Sequence, residues 1–460
     1  MNLVIMCAAL CILLLVVFAG KTRLTPRNDY FFLVFLFFGV IYTVIAPELV
    51  LHSSDVTSVE SVDNYHNAQS MIIVFFLLPI CMAYRILSKG ISKHDQHLAE
   101  LNLSEIRVVL VCVFFLALEV AFTLLALKNE MYVRRIGTEK IAELISEIDM
   151  MTLIIIRTHD LVVLPVITLL AILLPAIKRQ MSVWTRILAY ASFSIIVLSF
   201  IVFSIANSRT QLILLVVALI FAALMHGNAK FRLNVRALTL TALALMYGLV
   251  IVSNYRNHGA DEPILADILN PVSFISEADS DAFNQWEWTQ RLDCVNLITQ
   301  MDESLQFRGY EMGEAWKRPI ISMFGQIVGS DLATEYKANA ITTAKSYLLE
   351  EHTEISQKDY PSCMLTDLWG NFWIYGLPVA GILVACCFAL LRYGLTAVPS
   401  PLVFVTSLVF AFYFVTFEKE FVDWIIGWIK LIPAIALLAI LNPIQNSSAH
   451  MVEKQLDAIP

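Results

Sequence analysis

Runs of about twenty consecutive apolar residues recur along this chain, and one of them, "VVLVCVFFLALEVAFTLLAL" (108–127), carries a single charge, Glu119. A helix needs about 20 such residues to cross about 30 Å of hydrocarbon. Within lipid every backbone polar group must find a partner in the protein, so only helices and closed barrels span it. The runs are continuous and lack the alternation of barrel strands, so they read as helices. Composition agrees, because 58% hydrophobic and 15% charged residues lie far from the usage of a soluble domain. The expected fold class is an all-α polytopic membrane protein.

Windows of about 19 residues give about eleven spans. They fall near 2–20, 30–51, 69–87, 108–127, 153–176, 187–206, 211–226, 237–253, 365–391, 398–416 and 424–441. The seventh is short, and the ninth is long enough to tilt or to begin as an interfacial helix. Four segments follow: transmembrane helices over 1–253, a large hydrophilic loop over 254–364, transmembrane helices over 365–441 and a tail over 442–460. Lys and Arg of short loops mark the cytoplasmic side. The loops around Lys21, Arg85, Lys178 and Lys230 share one side, whereas 52–68 has Asp55, Glu60 and Asp63 and no Lys or Arg. The N-terminus and the large loop are then external and the C-terminus cytoplasmic. The first run has its charges after it, which reads as a retained helix. In the loop, Trp288, Leu292, Val295 and Ile298 have helical spacing and predict an amphipathic helix over 286–305.

Several function classes lack their signatures. No P-loop, dinucleotide fingerprint, zinc motif or nucleophile elbow occurs. Glu277-Ala-Asp-Ser-Asp281 alternates like a calcium loop without its turn glycine and closing Glu, and reads as a solvated loop. A net charge of −8 spread over loops and tails leaves no nucleic-acid footprint. Cys7, Cys11, Cys81, Cys112, Cys386 and Cys387 lie in apolar spans. Only Cys294 and Cys363 belong to the loop, where pairing and free thiols are both open.

The informative residues are charges at or just inside the external face. In "FSIANSRTQLILL", Arg209 occupies a turn between two apolar runs, against the positive-inside bias. A snorkelling arginine is the bland alternative. "IIIRTHDLVV" sets Arg157 and Asp160 three apart on one helical face with His159 beside them, as an ion pair or as functional groups. In "FEKEFVDWIIGWIKLI", Lys419 and Asp423 have i, i+4 spacing, and Lys430 lies deeper in the span, with Glu119 as a candidate partner. The loop adds Arg256, Arg291, Arg308, Lys317 and Arg318. Each is ordinary as a solvated charge, yet an arginine-bearing external groove suits a phosphate-containing substrate. In "DYPSCMLTDLWGNFWIYGLPVAG", Asp367 is flanked by Trp369, Asn371 and Trp373, a pattern that fits an interface belt or a sugar-binding surface.

These stretches give the chain a resemblance to the Wzy-type oligosaccharide repeat-unit polymerases, the family of O-antigen and enterobacterial common antigen polymerases. The resemblance rests on "NSRTQLILL", on "FRGYEMGEAWKRP" running into "DLWGNFWIYGLPVAG", and on the late "FEKEFVDWIIGWIKLI". Order, topology and loop size agree over nearly the whole chain, although each motif is loose. Family members often carry a Pro-Arg and Trp-Pro cluster where this chain has "KRPIISMFG", and a Glu where it has Asp367.

The resemblance implies a glycosyltransferase at the outer face of a bacterial inner membrane. It would join repeat units carried on undecaprenyl diphosphate, without a resident cofactor, and whether a divalent ion assists is open. Arg209, Arg157 and Arg256 would hold the diphosphate, with Arg291 closing over it. Asp367 leads as general base, followed by Glu420 and His159, while Asp423 and Lys430 would shape the lipid-facing floor. A chain-length regulator and a flippase are the implied protein partners, and nucleic acid is not one. An O-antigen ligase shares the donor and layout, and a lipid-linked glycan flippase is the alternative from another class.

Overall fold

The computed structural model describes residues 6–13, 24, 28–52, 62–89, 103–128, 150–207, 209–226, 293–310, 312–313, 316–317, 320, 363–396, 401–417, 419 and 421–444. Every regular element among them is helical, apart from one isolated bridge between Leu103 and Ile444. Among the described residues, six helices are long and apolar enough to cross a membrane: Tyr30–Leu49, Asn64–Ser88, Glu105–Lys128, Leu161–Gln180, Val183–Ser204 and Met364–Thr396. Three shorter apolar helices, Gln211–Met225, Pro401–Phe414 and Leu431–Ile440, fall on further expected spans. The expected span 237–253 lies outside the described residues, and of 2–20 only 6–13 is described, as helix. Large apolar side chains such as Leu124, Leu198 and Leu390 are exposed, as lipid contact requires and water would penalise. The molecule is a helical, membrane-embedded protein.

The chain forms two compact units, each discontinuous in sequence. The first takes 1–93, 282–393 and 413–430, and the second takes 94–281, 394–412 and 431–460. These units cut across the sequence-order segments, because the helices near the C-terminus pass from one to the other.

In the first unit, α1 (Tyr30–Val40) runs through a π-helical turn at Ile41–Ile45 into α2 (Ala46–His52). Likewise α3 (Val62–Ile72) runs through a π-turn at Ile73–Leu77 into α4 (Leu78–Ser88). The connection between α2 and α3 is therefore shorter than the expected 52–68, since α3 already begins at Val62. A π-turn inserts a residue and widens the helix locally, a feature frequent at functional sites. The loop helix α9 (Cys294–Arg308) packs on α2, α3 and the first π-turn. It starts at Cys294, since the Asp293 side chain caps it through the amides of Val295 and Asn296. Val295 and Ile298 are buried as expected, while Trp288 and Leu292 lie outside the described residues.

Met364–Thr396 forms α10, whose helical path breaks at Trp373 (φ 52°, ψ −149°). A non-glycine residue in this left-handed region costs about 1–3 kcal/mol and persists only where its surroundings fix it. Phe35 links the helices of this unit through Phe388 at 5.0 Å, Phe417 at 5.4 Å and Trp424 at 5.8 Å. At the start of α1, Asp29 accepts from Arg392 at 2.6 Å and from Tyr84 at 2.7 Å, and Phe32 stacks on Tyr84 at 3.8 Å.

The second unit is built on α5 (Glu105–Lys128), α6 (Met150–Gln180), α7 (Val183–Asn207) and α8 (Arg209–His226). The most apolar stretch of α6 is 72% buried against 33% for α5 and for α7, which makes α6 the central helix. Pro165 and Pro175 interrupt its hydrogen-bond ladder, a break that neighbouring helices tolerate inside a membrane protein. At the start of α5, Glu105 accepts from the Thr185 hydroxyl at 2.7 Å and the Ser182 amide at 3.2 Å. Arg107, Lys178, Arg179 and Arg186 therefore share one end of this unit, and the starts of α6 and α8 lie at the other. The remaining helices are α11 (Pro401–Phe414) and α12 (Phe421–Ile440).

Candidate functional site

Asp367 and Asn371 lie one turn apart in the first segment of α10, before the break, and both are buried. Asp367 Oδ1 accepts from Trp316 Nε1 at 2.7 Å and from Asn371 Nδ2 at 3.0 Å. Its Oδ2 accepts from the backbone amide of Val422 at 3.0 Å, in the first turn of α12. One carboxylate thus joins α10, the returning loop and the start of α12, where its charge also complements the helix dipole. Asn371 extends the junction, since its backbone oxygen accepts from Met312 N at 2.8 Å and its side-chain oxygen from Gly313 N at 3.1 Å. Gly309 (φ 87°) and Gly313 (φ 90°) let "FRGYEMG" double back onto α10, a path that Cβ-bearing residues adopt at a cost.

Aromatic rings wall this junction. Trp316 meets Phe372 at 5.0 Å and Phe421 at 5.7 Å, and Tyr310 stacks on Trp373 at 5.6 Å and 20°. Tyr375 lies beside Trp373 and is 75% exposed, so aromatic surface is open next to a buried carboxylate and amide. These three donors occupy most of the lone pairs of the Asp367 carboxyl group, an arrangement suited to positioning.

A second polar cluster at the same end carries no sequence motif. Asp293 is fully buried and accepts from the Tyr65 hydroxyl as well as from the α9 amides. Burial pushes its carboxyl up to about 7, against the hydrogen bonds from Asn296 and Val295 that pull it down. Close by in the same helices, His66 Nε2 lies 3.3 Å from Glu48 Oε1. Gln69, one turn beyond His66, is fully buried, and neither of its side-chain polar atoms has a hydrogen-bond partner among the described residues. Asp293 could have been found as a helix cap ahead of "CVNLITQM"; His66 and Gln69 gave only i, i+3 spacing at the edge of a span.

The sequence candidates fall as follows. Asp367 sits at the junction just described. Glu420 and the arginines Arg256 and Arg291 lie outside the described residues, as do Arg318 and the acidic run 277–281. Asp423 and Lys430 lie on α12 and Arg308 on α9, with side chains outside the described residues. In the second unit, Arg157 is on α6 and Arg209 opens α8, again with undescribed side chains. Their helices pack together, so both backbone positions are at the end of that unit opposite Lys178 and Arg179. His159 is buried on α6, with Nε2 3.0 Å from Glu119 Oε2 and its ring stacked on Phe122 at 3.6 Å and 2°. Among the described residues the partner of Glu119 is His159. Lys419 donates to the Tyr413 carbonyl at 2.8 Å and lies over that ring at 3.4 Å. Among the described residues no group of three His, Cys, Asp or Glu has the arrangement of a metal site.

A helical membrane protein with a buried carboxylate under an aromatic ledge is the class these features define. Neither a family model, a curated protein nor a solved structure matches the chain.

Proposed function

We propose that the protein polymerises lipid-diphosphate-linked oligosaccharide repeat units, transferring the growing glycan to a fresh unit at the external face of a bacterial inner membrane. The observation that carries this is the junction at Asp367, where the loop "FRGYEMGEAW" folds back on the broken start of α10 and lines buried polar groups with open aromatic rings. Sugar rings pack on such aromatic faces while their hydroxyls hydrogen-bond at the edges. In this reading the basic loops around Lys89 and Lys178 face the cytoplasm and the N-terminus is external.

In the reaction, the acceptor hydroxyl attacks the anomeric carbon of the donor chain. The bond from that carbon to the diphosphate oxygen breaks, and undecaprenyl diphosphate leaves. Guanidinium groups of Arg209, Arg157 and Arg256 stabilise the charge that grows on the leaving group, and Arg291 covers it. A carboxylate takes the hydroxyl proton. Asp367 is committed to three donors and His159 to Glu119 and Phe122, so we assign the base to Glu420. It lies two residues before Val422, whose amide Asp367 holds. Asp423 and Lys430 follow on the same helix toward the lipid. In cells, Arg209→Ala at unchanged protein level abolishes long-chain polymer; normal chain-length ladders in that variant would sink the assignment.

One observation favours a second function. Acid–histidine pairs inside a membrane domain serve as proton relays in transporters, and Glu119 with His159 is such a pair. A proton-coupled glycan flippase would accumulate its substrate on the cytoplasmic leaflet after deletion, whereas loss of a polymerase leaves single repeat units attached outside. A ligase is separated by product, since its loss leaves no decoration at all.

A further inference from the structure

Eight cysteines occur in the chain, and the two outside its apolar spans, Cys294 and Cys363, meet. Cys294 is the first residue of α9, and Cys363 immediately precedes α10. Both are fully buried, and their side chains lie within reach of each other. A second link fixes the same two helices independently, because Trp369 Nε1 of α10 donates to Asp302 Oδ1 of α9 at 3.1 Å. Cys294 also donates its S–H to the carbonyl of Tyr42, in the first π-turn, at 3.1 Å. The surroundings make the two thiols unequal. Burial pushes Cys294 well above the ordinary thiol range. Burial pushes Cys363 up too, but hydrogen bonds from Cys294 and from the Thr366 and Leu365 amides outweigh it, so this thiol lies below that range.

We propose that Cys294 and Cys363 form a disulfide that fastens the loop helix α9 to the entrance of α10. The bond forms as the loop folds, before the thiols are enclosed, by exchange with the disulfide of an external thiol oxidase. The thiolate of one cysteine attacks one oxidant sulfur, forming a mixed disulfide and releasing the other sulfur as a thiolate. The second cysteine, giving up its proton to water, then attacks the Sγ of the first and expels the second oxidant sulfur. Two protein thiols are oxidised, one oxidant disulfide is reduced, and the two protons end on its two thiols. The Cys363 carbonyl accepts from the Asp367 amide at 3.3 Å, so the crosslink anchors the turn that presents Asp367. It requires α9 to face an oxidising compartment and stands apart from polymerase activity.

Thiol state in the full chain decides it. Cells are quenched in acid, free thiols are alkylated with N-ethylmaleimide under denaturing conditions, and membrane protein is digested without reductant for mass spectrometry. The expected product is a crosslinked peptide pair holding Cys294 and Cys363, two hydrogens lighter than the thiol forms, with the other cysteines alkylated. Cys294→Ser makes Cys363 alkylatable, and Cys363→Ser does the same for Cys294. Alkylation of both cysteines in the acid-quenched wild type would overturn the proposal, whether or not the Ser variants fold. Reduced protein that still elongates glycan would remove the crosslink and leave the polymerase standing.

Discussion

At the residue scale, the two buried aspartates are held by different partners. Asp293 has a folded carboxyl raised from 3.8 to about 7, so its contribution to stability is complete below about 4 and lost as pH rises through about 7. Asn keeps the helix-capping oxygen and cannot ionise. Thermal unfolding in detergent is therefore expected to show Asp293→Asn gaining on the wild type between pH 5 and pH 8, by several degrees. An equal gap at both pH values would contradict the assignment. Asp367 is held instead by three donors, Trp316 Nε1, Asn371 Nδ2 and the Val422 amide. In Asp367→Asn the new amide nitrogen faces a donor, either Val422 N–H or the Trp316 and Asn371 pair. That variant is expected to lose thermal stability and polymer yield together, by about 1–3 kcal/mol for the unpaired donor. Glu420→Gln is expected to lose polymer with its melting temperature unchanged. Matching stability losses in both variants would remove the division between a positioning and a reacting carboxylate.

At the scale of elements, the apolar spans were legible because lipid imposes a length and a composition that the chain writes out continuously. What remained hidden was decided by tertiary contact. Nothing in "IYTVI" or "IVFFL" distinguishes a π-turn from an α-turn. The break at Trp373 comes inside an unbroken hydrophobic run, and its cause is the loop docked on Asn371, which no window average reports. Asp367 stood out in sequence because it is a charge among aromatics at a span entrance. Asp293 and Gln69 did not, because a polar residue near a span end is ordinary. Glu119 and His159 were each visible as charges within apolar runs, but their pairing needed α5 and α6 to be neighbours. Replacing one alone leaves the other buried without its partner, so a double-mutant cycle on Glu119→Leu and His159→Leu measures the link. The expected coupling in thermal unfolding is on the order of 1–3 kcal/mol, with the double variant more stable than the singles predict. Additive losses would mean that the pair contributes packing only.

At the scale of the whole molecule, the two units carry different parts of the proposed chemistry. The first holds the loop helix, the aromatic ledge and the Asp367 junction, while the second carries Arg157 and Arg209 on the packed helices α6 and α8. Sequence-order segments concealed this division, because both units draw helices from each end of the chain. The most direct measurement uses purified full-length protein in lipid nanodiscs with synthetic undecaprenyl-diphosphate-linked repeat units, with and without chelator. The expected result is a ladder of oligomers with release of undecaprenyl diphosphate, lost in Arg209→Ala. Intact repeat units recovered unchanged, from protein that is folded by thermal unfolding and supplied with the repeat unit of its own host, would contradict polymerisation.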